Sequence, residues 1–217
     1  MSSYSEGQTH QLANAMEAAG YTPAEITALG QNSELLTQIK LVLMGLATIV
    51  RECFMLACPK AFDPAKFIGN GWSVWKGPAD GDGLSGEEER DKRADEFDIV
   101  DWEQVLMETH LQENETSVLG EEKLKRANAS GNIQLGDKQF ASLWENYKDK
   151  GKDSVPEKLR LKGVKVIYFF GTVLRDPYGD RCVLCLYLHG SEWYWDYRWL
   201  GDQWNADDPS ASLASVK

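Results

Sequence analysis

Residues 164–204, VKVIYFFGTVLRDPYGDRCVLCLYLHGSEWYWDYRWLGDQW, decide the fold of this chain. Apolar, β-branched and aromatic residues fill the stretch and turn clusters break it, so it reads as three antiparallel strands. The first break, Asp176-Pro177-Tyr178-Gly179-Asp180, offers Pro to preset φ and Gly to accept positive φ. The second, Gly190-Ser191, is a two-residue loop suited to a type II′ hairpin. So short a loop fixes the register. Leu188 faces Trp193, Leu186 faces Trp195, Leu184 faces Tyr197 and Cys182 faces Trp199, all on one apolar face. The other face pairs Tyr187 with Tyr194, Cys185 with Asp196 and Val183 with Arg198, and His189 faces Glu192 at the loop. A slip by one residue would put the tryptophans and the leucine row into water. Trp193, Trp195 and Trp199 are therefore expected in the core. In the first strand both faces are apolar, which predicts a central or doubly covered strand, with Gly171 marking a bulge.

The totals bound what the rest can be. At 217 residues, 42% hydrophobic, with eight Trp, eight Tyr and seven Phe, the chain can bury a sizeable core as one or two domains. A net charge of −11 opposes attraction to nucleic acid and to anionic membranes and is compatible with a basic protein partner. The opening MSSYSEGQTHQ is polar and reads as no secretory signal. The longest apolar run, Leu41–Val50, is about half the length that spans a bilayer. The expectation is a soluble cytoplasmic protein. Four cysteines are too sparse for a disulfide scaffold.

Before the sheet, caps and spacings mark helices. Residues 10–19 read as a short helix closed by Gly20, and Thr22-Pro23-Ala24-Glu25 is a strong start for a second. Ser33 is expected to cap a long apolar helix running to Ala57, stopped by Pro59. A capping box at Ser85 and Glu88 predicts a charged helix to Asp95. Alternation around Val105–Leu111 predicts a strand, 117–129 a helix, and Ile133 with Leu135 a short extended piece. Asp137 is read as the cap of a helix carrying Phe140, Leu143, Trp144 and Tyr147, followed by a solvated linker over 148–153. Ser154-Val155-Pro156-Glu157 begins one more helical turn. The polar tail after Trp204 is expected to be loose or to lie along the surface. Together these give an α+β protein: a helical N-terminal part over 1–60, then an α+β region over 61–217 ending in an antiparallel meander of three or more strands.

Four constellations are candidates for chemistry. Asp80, Asp82, Gly83 and Glu89 match part of the EF-hand spacing, with oxygen ligands at alternating positions and a glutamate to close the site. Pro78 stands where the first ligand belongs, so an acidic loop is the competing reading. Cys53, Cys58, Cys182 and Cys185 offer four thiols, but residues three apart in a strand point to opposite faces, which favours buried free cysteines over zinc. The helices around Gly30 have rough helix-turn-helix lengths, yet residues 1–60 hold three Lys/Arg against five Glu, where a DNA reader is basic. The fourth is the mixed sheet face, where Tyr187, Tyr194, Asp196 and Arg198 could grip a small polar ligand. The three histidines show no catalytic or metal spacing, and no nucleophile elbow, Walker loop or dinucleotide fingerprint appears, so no cofactor is expected.

The blocks FDPAKFIGNGWSVWKGPADGDGLSGEEERD, GEEKLKR, LWENY, FFGTVLRDPYGDRCVLCLYL and DPSASLASV resemble a family of uncharacterised bacterial proteins, from about residue 60 to the end. The resemblance implies a bacterial, cytoplasmic origin; it brings no activity and no residue roles. The leading expectation is a non-enzymatic binding or interaction protein. The alternatives are an enzyme acting on a small polar substrate at the mixed sheet face, and a calcium-regulated module built on the loop 80–89.

Overall fold

A computed structural model describes residues 5–45 and 54–215. The chain divides into two units, 1–52 and 53–217.

The first unit holds α1 (Glu6–Ala18), α2 (Pro23–Gln31) and α3 (Ser33–Leu43). Each starts on a side-chain cap. Ser5 and Gln8 close a reciprocal box at α1, and Thr22 and Glu25 do the same at α2. At α3 the cap is Asn32, whose Oδ1 accepts the Leu35 N–H at 2.9 Å, and not Ser33. The expected long buried helix is corrected twice. It ends at Leu43, because Gly45 adopts φ +69°, and residues 46–53 lie outside the described residues. Residues 55–57, read as its last turn, are a strand. No residue of the three helices is buried, and Leu12, Leu36, Ile39 and Leu43 are exposed.

The second unit runs β1 (Met55–Ala57), α4 (Pro64–Phe67), β2 (Ser73–Val74), α5 (Lys92–Asp95), β3 (Ile99–Asp101), β4 (Leu106–Glu108), β5 (Ser117–Leu119), α6 (Gly120–Ala129), β6 (Ile133–Gln134), α7 (Asp137–Lys150), α8 (Val155–Leu161), β7 (Val166–Arg175), β8 (Arg181–His189), β9 (Glu192–Trp199), β10 (Gln203–Asn205) and β11 (Ser210–Leu213). This is an α+β fold. Its main sheet has the order β4-β11-β7-β8-β9, with β2 added to β7 and β6 to β11. The hairpin β8–β9 has the expected register at every pair from Cys182↔Trp199 to His189↔Glu192. The expected bulge is also present: the β7–β8 register shifts between Phe169 and Leu174.

Both faces of the sheet are covered, as the two apolar faces of β7 require. One core gathers Ile167, Phe169, Leu184, Leu186 and Trp193 with Phe140 and Leu143 of α7 and Leu159 of α8. The other gathers Tyr168, Phe170, Val183 and Cys185 with Leu124 and Ala127 of α6, Trp75 and Trp204. Cys182 and Cys185 fall in opposite cores, as their spacing dictates. The tryptophan row is corrected in part. Trp193 is fully buried and Trp195 half-buried against Phe67 and Phe140, but Trp199 is 44% exposed. β9 is the last strand of the sheet, and the covering layer does not reach its far end.

The tail is the largest correction. β11 lies inside the sheet, parallel to β7 and antiparallel to β4 and β6. Ser210 and Ser212 are fully buried. Their hydroxyls are satisfied: the Ser212 hydroxyl donates to Glu108 Oε2 at 2.8 Å, and Ser210 meets His110 Nε2 at 3.0 Å. Small polar residues can thus occupy a central strand, because ladder and hydroxyl bonds replace water. Three other expectations change. Residues 85–87 form a bend and Glu88 and Arg90 make isolated bridges to Lys76 and Thr172, with the Glu89 N–H donating to Trp75 O at 2.8 Å, and only α5 is helical there. Residues 117–119 are strand before α6 begins. Gly136 rather than Asp137 is the cap of α7, and the expected linker over 148–153 is the end of that helix plus one tight turn.

Candidate functional site

Two of the clefts on the second unit combine aromatic rings with charged side chains. The first lies on the mixed sheet face, has a volume of about 380 Å³, and is lined by Tyr168, Cys185, Tyr187, Asp196, Arg198 and Asp208, with Lys165 at its rim. Three of the four expected ligand residues line it. Tyr194 does not; it is 41% exposed, its ring 6.0 Å from that of Tyr187, and its hydroxyl donates to Glu192 at 2.8 Å.

Arg198, Tyr168 and Asp208 of this cleft are committed to the fold. Arg198 does not pair with Asp196. Its Nη1 donates to Asp208 Oδ1 at 2.6 Å and to the Tyr168 hydroxyl at 3.2 Å, and its Nη2 donates to Gln203 O at 2.6 Å. Its guanidinium lies 4.6 Å from the Trp204 ring. Asp196 Oδ1 accepts the Tyr197 N–H at 2.8 Å. Behind Asp208, Lys123 is fully buried: Nζ donates to Asp208 O and lies 4.9 Å from Trp204 and 5.3 Å from Phe170. Burial pushes its pKa down to about 8. Burial also raises the Tyr168 phenol and the Cys185 thiol, so both stay protonated at neutral pH and neither is an activated nucleophile. Ser210 and His110 touch, but Ser210 has no exposed surface and cannot meet a substrate.

Burial raises the pKa of both the Cys182 and Cys185 thiols. Above the ordinary thiol value of about 8.5 the unfolded chain releases two protons that the folded chain keeps, so stability falls as pH rises. Lys123, held down by burial, acts in the opposite direction, and both proteins compared retain it. Denaturant titrations should therefore show the parent losing about 3 kcal/mol more between pH 8 and pH 10 than a Cys182→Ala/Cys185→Ala variant. Equal losses would show that the thiols titrate alike folded and unfolded.

The second cleft lies at the turn end of the sheet, with a volume of about 510 Å³. The 176–180 turn contributes Gly179 and Asp180, the 78–82 loop Asp80, the start of α6 Glu121, and the turn after β9 Gly201 and Asp202. Trp75 and Arg181 form the floor and Trp199 one wall. Arg181 is buried, and its guanidinium lies 4.9 Å from the Trp75 ring. It is held by Glu89, with Nη2 to Oε1 at 2.9 Å, and by Glu121, with Nε to Oε1 at 2.7 Å. The Trp199 indole N–H donates to Asp176 at 3.2 Å, and the residue stays 44% exposed.

Asp80, Asp82 and Glu89, matched to a calcium loop, are dispersed. Asp80 lines this second cleft, Asp82 Oδ1 accepts the Leu84 N–H at 3.0 Å, and Glu89 grips Arg181. Gly83 has a packing role: an added Cβ would lie 2.5 Å from the Trp75 ring. Among the described residues no three His, Cys, Asp or Glu are grouped to hold a metal ion, and Cys53 lies outside those residues. No helix among them is long and apolar enough to cross a membrane.

Sequence reasoning missed Trp75, Trp199, Glu121, Asp180, Arg181 and Asp202. The usable signal was the abundance of acidic residues in the two turns flanking Arg181, DPYGD and GDQW. No protein-family model matches the chain, and neither a curated protein nor a solved structure is similar to it. The family resemblance rests on the quoted blocks alone.

Proposed function

We propose that this chain is a non-enzymatic binding protein whose turn-end cleft receives a basic segment of a partner protein. One observation carries the reading. That cleft is lined by Asp80, Asp180 and Asp202 together with the exposed Trp199, and the cation lining it, Arg181, is already held by two carboxylates. The cleft therefore has a surplus of negative charge beside an aromatic face, and both features attract a cationic side chain. The net charge of −11 steers the same kind of partner and opposes nucleic acid. The sheet-face cleft lends less to catalysis, since Asp208, Arg198 and Tyr168 are tied to one another.

Calorimetric titration with hexalysine tests this. Binding should weaken with ionic strength, and an Asp180→Asn/Asp202→Asn variant should bind about tenfold more weakly, as expected for two partly screened charge contacts. Hexaglutamate should not bind. Equal affinity of parent and variant would place the basic segment elsewhere on the acidic surface and defeat the proposal.

A further inference from the structure

We infer that the cationic group the turn-end cleft selects is an arginine guanidinium rather than a lysine ammonium. The inference rests on the binding role proposed above and names the chemistry of its ligand. It comes from two clamps that the fold already builds for its own arginines.

In the first clamp, the Arg181 guanidinium lies over the Trp75 ring at 4.9 Å and is held from the side by Glu89 and Glu121. In the second, the Arg198 guanidinium lies over the Trp204 ring at 4.6 Å and is held from the side by Asp208. Each is an indole under a flat cation with a carboxylate in reach of its N–H edge. Trp199, Asp180 and Asp202 bring the same group types together as a third set, lining one cleft of about 510 Å³. The Trp199 ring is 44% exposed, and among the described residues no ion pair engages Asp180, Asp202 or Asp80. The component that this third set lacks is the guanidinium.

The preference over lysine follows from shape and hydration. A guanidinium is planar, weakly hydrated and able to stack on an indole while its edge donates to carboxylates. An ammonium is a compact, strongly hydrated charge that gains from the carboxylates but less than a guanidinium from the flat indole. Arg181, at the floor of the same cleft, does not repel an incoming arginine, because two carboxylates offset its charge.

The experiment compares hexa-arginine with hexalysine, which carry equal charge, by calorimetry against the full chain. Hexa-arginine should bind about tenfold more tightly. Trp199→Ala should remove that preference by weakening hexa-arginine far more than hexalysine, whereas Asp180→Asn/Asp202→Asn should weaken both. If Trp199→Ala lowers the melting temperature, Trp199→Leu fills the same ledge without a π face and makes the same comparison. Binding of neither peptide would reject the binding role itself. Equal binding of both, weakened alike by the carboxylate variant, would leave that role standing and reject the arginine inference. An arginine preference that survives loss of the Trp199 ring would also reject it.

Discussion

Asp208→Ala is expected to destabilise the sheet unit by about 3 kcal/mol, the low end of the cost of removing one partner from a buried ion pair, because the Arg198 side chain stays 26% exposed. Asp208 is buried, and three groups converge on it. Its Oδ1 accepts from Arg198 Nη1 at 2.6 Å and from the Tyr168 hydroxyl at 3.2 Å, and its Oδ2 accepts the Asn205 N–H at 2.9 Å. Its negative charge also favours the protonated form of Lys123, which has no exposed surface. The substitution leaves a guanidinium and an ammonium close together in the core around Trp204 with no carboxylate between them. Because β11 starts two residues later, the same contacts hold that strand in the sheet. Urea denaturation of parent, Asp208→Ala, Arg198→Ala and the double variant measures this. A coupling of about 0.5–3 kcal/mol between the two sites is expected. Midpoints for Asp208→Ala matching the parent would mean that the tail is held by its ladder bonds alone.

Gly171→Ala should cost about 3 kcal/mol or more, at the upper end of what overpacking does. The reason is space, since Gly171 is not among the positive-φ glycines. An added Cβ would lie 2.1 Å from Gln134 O and 2.7 Å from Leu135 C, both backbone atoms that cannot turn aside. Gly171 is also where β7 changes neighbours. Its N–H donates to Leu135 O at 2.8 Å and its carbonyl accepts the Asp91 N–H at 2.8 Å. Moving β7 away to admit a methyl group breaks both bonds and opens the register shift opposite β8. Gly201→Ala is the control, because nothing lies within 4 Å of its added Cβ, and it should change stability by less than about 0.5 kcal/mol. Thermal melts in which the two variants coincide would show that β6 yields to the methyl group at little cost.

The candidate site was only partly legible in the sequence. Tyr187, Asp196 and Arg198 were placed on one sheet face, and three of the four expected residues share a cleft there. What Arg198 does in that cleft was not readable: its partner is Asp208, beyond a turn and another short strand, and not the nearby Asp196. Trp199 was assigned to the core from the parity of its strand position. Parity gives the face of a sheet and not how far the covering layer extends over it, so an edge residue on the inner face can still be open to water.

The sequence by itself determined what local chemistry enforces. The Gly190–Ser191 loop and the strict alternation around it admit one register, and that register is present pair for pair. Thr22-Pro23-Ala24-Glu25 and Ser154-Val155-Pro156-Glu157 start helices because their side chains satisfy their own N–H groups. The tertiary structure decided everything whose partner is far along the chain. Ser210–Leu213 has no strand-like apolar pattern and becomes a central strand because β4, β6 and β7 supply its bonds. Glu89 leaves the loop that resembled a calcium site because Arg181, 92 residues away, takes its carboxylate. The turn-end cleft joins three separate turns and the start of α6, and it exists only once the sheet has brought them to one edge.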